Sequence, residues 1–291
     1  MTAPQSPSLV APGGHLRRIA VVPAYNEEPT VGDVLGKLYG YVDELVVVDD
    51  GSTDNTRGEI EKFLGTHPRA TMLVHEVNQG MSEAYYLAFT DLRRRLAAGE
   101  LSPDDLVYTI DADGQHDLAV LNDLHDRAVE ESLDALIVRR DLSTYPPYKQ
   151  AGNWVMSTWA TIWSGGVPLY DVESGYRIFR LGALADALDY YTGYKYSETV
   201  EVAIVLSRLG YRVRNDILVP VPIFRSRTRL KDVAIDLVMM VVAAFRVTAR
   251  RPEGRPVPSL VPPVAKSTAI VATVVLPPAL VLRALVRRIR R

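Results

Sequence analysis

The apolar positions of the chain form short runs separated by stretches of helical period. Residues 18–22, 44–48, 70–75, 106–110 and 135–138 are runs of four to six mostly apolar residues bounded by turn formers, a length that suits buried strands. Between them apolar residues recur every three or four positions. Val31, Val34, Leu35 and Leu38 mark one helix, and Ile60 and Phe63 the next. A third helix spans 82–98, and Leu118, Leu121, Leu124 and Val129 mark a fourth over 117–131. Strands alternating with helices predict an α/β fold, a mainly parallel sheet with right-handed crossovers and flanking helices.

The pattern changes after residue 140. Residues 145–163 carry two prolines and then a helical stretch with Trp154, Trp159 and Trp163. Residues 168–180 read as a loop entering a short strand, 198–209 as a helix capped by Ser197, and 211–219 as a strand. Residues 224–231 pack four cations, Arg225, Arg227, Arg229 and Lys231, into eight positions. Residues 233–245 are apolar apart from Asp236, and a Pro-rich linker covers 251–263. The fifteen uncharged residues 268–282 are broken by Pro277-Pro278 and followed by five arginines in the last nine residues. A spanning helix needs about 20 apolar residues. The segment therefore fits a helix lying in a membrane interface or a shallow re-entrant hairpin, its arginines meeting anionic headgroups. A helix packed on its own domain is the alternative. These features divide the chain into a Pro-, Ser- and Gly-rich disordered tail (1–16), a main domain (17–231) and an apolar, basic membrane-interface region (232–291).

The 291 residues carry a net charge of −2, so no global field favours nucleic acid. The absence of cysteine excludes disulfides, thiol catalysis and Cys-ligated zinc, and the five histidines show no ligand spacing. With no apolar signal-peptide core at the N-terminus, the expected location is the cytoplasmic face of a membrane, peripheral or monotopic.

The chemistry concentrates where the strands end. After 106–110 come Asp111-Ala112-Asp113-Gly114-Gln115-His116, two carboxylates one residue apart. If the extended path continues, both side chains point the same way and converge on one hard cation. Mg²⁺ or Mn²⁺ is the expected ion, and two solvated loop aspartates are the structural alternative. After 44–48 come Asp49-Asp50-Gly51-Ser52-Thr53-Asp54-Asn55-Thr56, in which turn and cap chemistry accounts for half the residues. Asp49 and Asp50 face opposite ways, so one can meet a ligand while the other binds backbone donors. After 18–22 come Pro23-Ala24-Tyr25-Asn26-Glu27-Glu28. Before the third helix stands Asn78-Gln79-Gly80, whose glycine either lets backbone approach a ligand or makes the turn.

These four motifs, in this order and spacing, resemble glycosyltransferase family 2, inverting enzymes with the GT-A type of Rossmann-like fold. The likeness spans about 18–223. Asp111–His116, the 171–177 stretch and the basic loop before apolar C-terminal helices are most similar to the dolichyl- and polyprenyl-phosphate sugar synthases. The resemblance implies that Pro23, Ala24, Tyr25 and Glu27 line the nucleoside pocket, Asp50 contacts base or ribose, and Gly80 approaches the nucleotide. It implies that Asp111 and Ala112 lie near the ribose or diphosphate, and that Asp113, with Asp111 and Gln115, holds the metal. Arg139 and Lys149 fall where that branch puts cations for an acceptor phosphate, although this chain reads Ile-Val-Arg-Arg where the branch usually has Gly-Ser-Arg. Arg177 follows Ser-Gly as in the family, and the loop carrying Arg225 would close over the substrates. Asp113, Arg139 and Arg177 are thus the expected catalytic group. The implied reaction moves a hexose from a nucleotide-sugar, of the GDP-mannose or UDP-glucose type, to a polyprenyl phosphate at the membrane. A phosphate acceptor needs no general base. A hydroxyl acceptor, the main alternative, would need a carboxylate such as Glu173, Glu198 or Glu201. A non-catalytic nucleotide-sugar-binding protein is the remaining alternative.

Overall fold

The computed structural model describes residues 16–192, 197–220 and 230–250. Of its two compact units, Met1–Leu260 and Val261–Arg291, only the first contains described residues. The tail before residue 16, the loop bearing Arg225, the Pro-rich linker, the 268–282 segment and the terminal arginines therefore lie outside the description.

Strand β1 (Arg18–Ala24) pairs in parallel with β2 (Glu44–Asp50) on one side and β4 (Leu106–Thr109) on the other, and β2 pairs in parallel with β3 (Ala70–His75). Past β4 the sheet departs from the parallel expectation. β7 (Arg177–Arg180) enters antiparallel between β4 and β5 (Ala135–Ile137), and β8 (Val213–Arg214) pairs in parallel with β5. The order is β3-β2-β1-β4-β7-β5-β8. Its first four strands follow the 3-2-1-4 sequence of a Rossmann half.

Both sheet faces are covered, which is why the strands read as continuous apolar runs. Ile19 and Val21 of β1 pack with Ala84, Tyr85, Ala88, Phe89 and Leu92 of α3 (Met81–Ala97). Ala20 and Val22 pack on the other face with α1 (Val31–Leu38), α2 (Thr56–Leu64) and α4 (Leu121–Glu130). The first turn of the fourth predicted helix is a separate 3₁₀ turn, Leu118–Val120, whose start is capped by the Asp117 carboxylate accepting from Ala119 N–H. Helices α6 (Leu181–Ala187) and α7 (Glu198–Arg208) complete the α3 side; α6 was not among the expected elements.

Residues 211–219, expected to be one strand, are two. β8 ends before Asn215, and β9 (Leu218–Val219) pairs with β6 (Arg139–Arg140) in a separate two-stranded sheet. Asn215 causes the break. Its side chain is buried and bonds the backbone of Ile137, Tyr170 and Asp171, so the chain turns to deliver it. Helix α5 (Pro147–Trp163) begins with proline at its first turn, where the missing N–H is not needed. Helix α8 (Leu230–Ala249) covers residues assigned from sequence to the membrane-interface region. Its Met240, Ala243, Ala244 and Val247, three or four apart, sit in the same core as α7, and Leu237 C=O accepts from the Trp159 indole at 3.0 Å. No helix among the described residues is long and apolar enough to cross a membrane.

Candidate active site

The carboxyl ends of β1, β2, β3 and β4 share one edge of the sheet. β7 starts at that edge too, because Arg177 pairs with Thr109. Open α/β sheets bind ligands there.

On the β1–β2 side the two turns lock together. Asn26, held at a φ of 55°, donates its N–H to Ser52 Oγ and accepts from Thr53 N–H at 2.8 Å; Glu27 N–H donates to Thr56 Oγ1 at 2.8 Å. Tyr25 emerges exposed from this junction, whereas Pro23 and Ala24 are buried in β1, opposite Val48 and Asp49. Both aspartates of β2 are occupied by their own chain. Asp49 accepts from Ser52 N–H and from Arg57 Nε at 2.7 Å. Asp50 bonds the His75 ring at 2.7 Å and accepts from Asn78 Nδ2, Gln79 N–H and Gly80 N–H at 2.9, 3.0 and 2.8 Å. Asp50, expected at base or ribose, here fastens the Asn78–Gly80 turn in front of α3. Gly51, at a φ of +68°, is required: a Cβ there would lie 2.4 Å from the backbone of Val77.

The paired carboxylates lie on a turn rather than a strand extension, since β4 ends at Thr109 and Gly114 takes a φ of 75°. Ala112 between them is buried. Asp113 accepts from Gln115 N–H at 3.0 Å and from Gln115 Nε2 at 2.7 Å. Burial, and then the charge of Asp111, raise the Asp113 carboxyl above its ordinary range. Asp111 is cradled by neutral groups. Its N–H donates to His116 Nδ1, so the neutral ring carries its proton on Nε2, 3.4 Å from Asp111 Oδ2. Burial holds that imidazole below its usual pKa. The Tyr85 hydroxyl stands 3.4 Å from Asp111 Oδ1. Gly175 lies so close that a Cβ would be 2.6 Å from Asp111 Oδ2.

Arg177, expected in the catalytic group, is fully buried beneath this turn. Its Nη1 bonds Glu198 Oε1 at 2.8 Å and its Nε donates to Ser174 C=O at 2.6 Å. Thr109 Oγ1 donates to Gly175 C=O at 2.6 Å. Arg177 thus holds the Ser174-Gly175 peptide against Asp111 from below. Arg177 Nη2 and Glu198 Oε2 are buried and have no hydrogen-bond partner among the described residues. Glu201 is also buried, accepting from Thr192 N–H and the hydroxyls of Thr192 and Ser197. Of the three glutamates named as possible bases, Glu173 alone is part-exposed rather than buried, its carboxyl 3.9 Å from Arg140 Nη2; partial burial raises its pKa.

On the β5 side, adjacent arginines do different work. Arg140 forms a bidentate bond to buried Asp171 at 2.7 and 2.8 Å, and its N–H donates to the same carboxylate. Arg139 is exposed and makes no ion pair among the described residues; its guanidinium lies 5.1 Å from the Tyr170 ring centroid. Lys149, likewise without an ion pair among the described residues, lies 5.5 Å from the Tyr145 centroid. The loop 171–175 joins the two halves of the site, from Asp171 on Arg140 to Gly175 on Asp111.

The expected residues therefore gather along one edge, apart from Arg225, outside the description, and Arg177, inside the core. Among the described residues no three His, Cys, Asp or Glu groups cluster as a complete metal cage. Two carboxylates whose charges oppose each other, with neutral neighbours, nevertheless suit a hard divalent ion that takes its remaining ligands from substrate phosphates and water. Gln115 turns its amide N–H towards Asp113 and acts there as that carboxylate's support. Sequence reading missed Gly175, Tyr85 and Tyr170. Gly175 was marked by its Ser-Gly step, and Tyr85 by its place five residues after Gly80 on the buried side of α3.

A Rossmann-like α/β fold with two acidic groups where the strands end is the arrangement of a protein that binds its ligand at the carboxyl edge of the sheet. The chain belongs to glycosyl transferase family 2, whose model matches residues 19–176. It is 28% identical over 209 residues to a UDP-N-acetylglucosamine–dolichyl-phosphate N-acetylglucosaminyltransferase of Methanococcus voltae, covering 65% of this chain and 78% of the relative. It is 29% identical over 209 residues to an undecaprenyl-phosphate mannosyltransferase of Micrococcus luteus, covering 68% and 81%. The fold matches a mannosyltransferase from Pyrobaculum calidifontis, solved with GDP-Man and Mn²⁺, at a TM-score of 0.58 and 20% identity over 83% of this chain and 68% of that one. This chain is thus a family 2 glycosyltransferase with a GT-A fold.

Proposed function

We propose that this enzyme transfers a hexose from a nucleotide-sugar to a polyprenyl phosphate at a membrane surface. The observation that carries the reading is a pair of cations without ion pairs among the described residues, Arg139 just beyond the carboxyl end of β5 and Lys149 in the first turn of α5. Neighbouring arginines are paired, as Arg140 is with Asp171, so the two free charges suit an anionic acceptor. The names of the two relatives, one acting with dolichyl phosphate and one with undecaprenyl phosphate, point the same way. Helix α5 supports a membrane partner: Tyr148 and Trp154 are 72% and 63% exposed, and Lys149 is the helix's single charge. Exposed aromatic residues beside a cation suit a headgroup boundary.

Asp111 and Asp113 would hold Mg²⁺ or Mn²⁺, which when bound neutralises charge building on the departing diphosphate. The Asn78–Gly80 turn, fastened by Asp50, and the exposed Tyr25 would seat the nucleoside. Arg139 and Lys149 would hold the acceptor phosphate, whose oxygen is already an anion and attacks without proton removal. One direct displacement inverts the anomeric centre.

A second reading, transfer to a hydroxyl, is favoured by one feature, the part-exposed Glu173 with its raised pKa. Glu173→Gln separates the two. Transfer to polyprenyl phosphate in that variant is expected to stay within about threefold of wild type. Loss of a general base removes on the order of 10²-fold or more, and that result would contradict the phosphate reading.

A further inference from the structure

Arg139 and Lys149, which make no ion pair among the described residues, share another arrangement: each lies over a tyrosine ring, at 5.1 and 5.5 Å from the centroid. The choice of partner has a physical consequence. A carboxylate fixes a cation but cancels its charge. A π-face fixes it through a quadrupole and leaves the charge available to a ligand.

Tyr170 is also held with unusual rigidity for an exposed loop residue. Its N–H donates to Asn215 Oδ1 at 2.5 Å, and its C=O accepts from Asn153 Nδ2 at 2.9 Å and Ser157 Oγ at 2.7 Å. The next residue, Asp171, is bonded by Asn215 and clamped by Arg140. Every backbone polar group of Tyr170 is thus occupied, while its ring remains 43% exposed. Arg139 is equally constrained in its backbone, its N–H donating to Ile217 C=O at 2.8 Å and its neighbour Arg140 tied to Asp171. A pinned backbone that presents an exposed ring under a cation is what a preorganised binding group requires. Asp141, the nearest acid in sequence, accepts from Ser143 N–H at 2.9 Å, a bond that lowers its pKa; Arg139 contributes to that lowering but forms no close ion pair with it among the described residues.

We propose that Tyr170 and Tyr145 are positioning residues for an acceptor phosphomonoester, holding Arg139 and Lys149 in place without neutralising them. The exposed Tyr170 ring also offers an apolar surface to the alkyl chain next to that phosphate. The inference rests on the reading of the acceptor as a phosphate and names the residues that make this phosphate site work.

The test is calorimetric titration of the full chain with geranyl phosphate in the absence of donor, with geraniol as the phosphate-free control. Tyr170→Leu and Tyr145→Leu are each expected to weaken binding about fivefold, whereas Tyr170→Phe and Tyr145→Phe, which keep the ring, stay within about twofold. Thermal melts of the Phe variants check that folding is intact. Leu variants that bind as wild type does, or Phe variants as weak as Leu, overturn the inference. So does a wild type that prefers geraniol. The expected pattern of binding, found in a protein that moves no sugar to polyprenyl phosphate, upholds the phosphate site and overturns the proposed function instead.

Discussion

Gly175 shows how much one residue without a side chain can decide. Its Cα faces the Asp111 carboxylate, and an added Cβ would stand 2.6 Å from Oδ2 and 2.9 Å from Oδ1. Asp111 cannot yield easily, with Tyr85 and His116 flanking its two oxygens. Gly175→Ala should therefore lower kcat by about 10-fold or more, because displacement of a positioned group by about 1 Å carries penalties of that size. The melting temperature should fall far less. Activity within twofold of wild type in steady-state assays would mean that Asp111 need not hold this position. At this scale much of the site was legible. Asp111, Asp113, Gly80 and Arg139 were marked by their place at strand ends. Arg177 was marked as well, but its setting was not legible, because a buried arginine and an exposed one have the same letter; its contacts with Glu198 and the Ser174 carbonyl are set by the fold. The surroundings of Asp50 were not legible either. A carboxylate before a glycine turn can bind a ligand or its own chain, and here it meets three donors of the Asn78–Gly80 turn and the His75 ring of β3.

Among the elements, the strands and helices up to residue 138 follow from apolar period, since β1, β2, β4 and β5 are buried on both faces, edge strand β3 is part-buried, and each helix buries one face. The antiparallel β7 and the division of 211–219 did not follow, as both are set by partners distant in sequence. β7 is fixed by β4 and β5, and the break at Asn215 by bonds to Ile137 and Asp171. Helix α7 carries a testable consequence of burial. Glu201 in its first turn is pushed by burial up to about 7, against an ordinary 4.5. Between those values the folded state holds a proton that the unfolded chain has lost, so stability falls as pH rises through the window and is unpenalised below it. Glutamine mimics the protonated acid. Glu201→Gln should therefore raise the melting temperature at pH 8, by up to the order of 3 kcal/mol in stability, and match wild type near pH 4.5. An equal shift at both pH values, measured by thermal melts, would show that Glu201 is not protonated in the fold.

At the scale of the whole molecule, the proposed function joins a nucleotide side to an acceptor side through the loop that runs from Asp171 on Arg140 to Gly175 on Asp111. The first side contains the Asp111–Asp113 carboxylates and the second the free cations. Transfer from an anionic donor to an anionic acceptor needs both, and needs no base between them. The most direct test of that account follows the sugar. The full chain, reconstituted with membranes, Mn²⁺ and a polyprenyl phosphate, is incubated with a panel of radiolabelled nucleotide-sugars and the lipid phase is extracted. The account predicts that label from one donor enters the lipid phase, and that Arg139→Ala raises the KM for the polyprenyl phosphate more than that for the donor. Donor breakdown with all label left in the aqueous phase would contradict it.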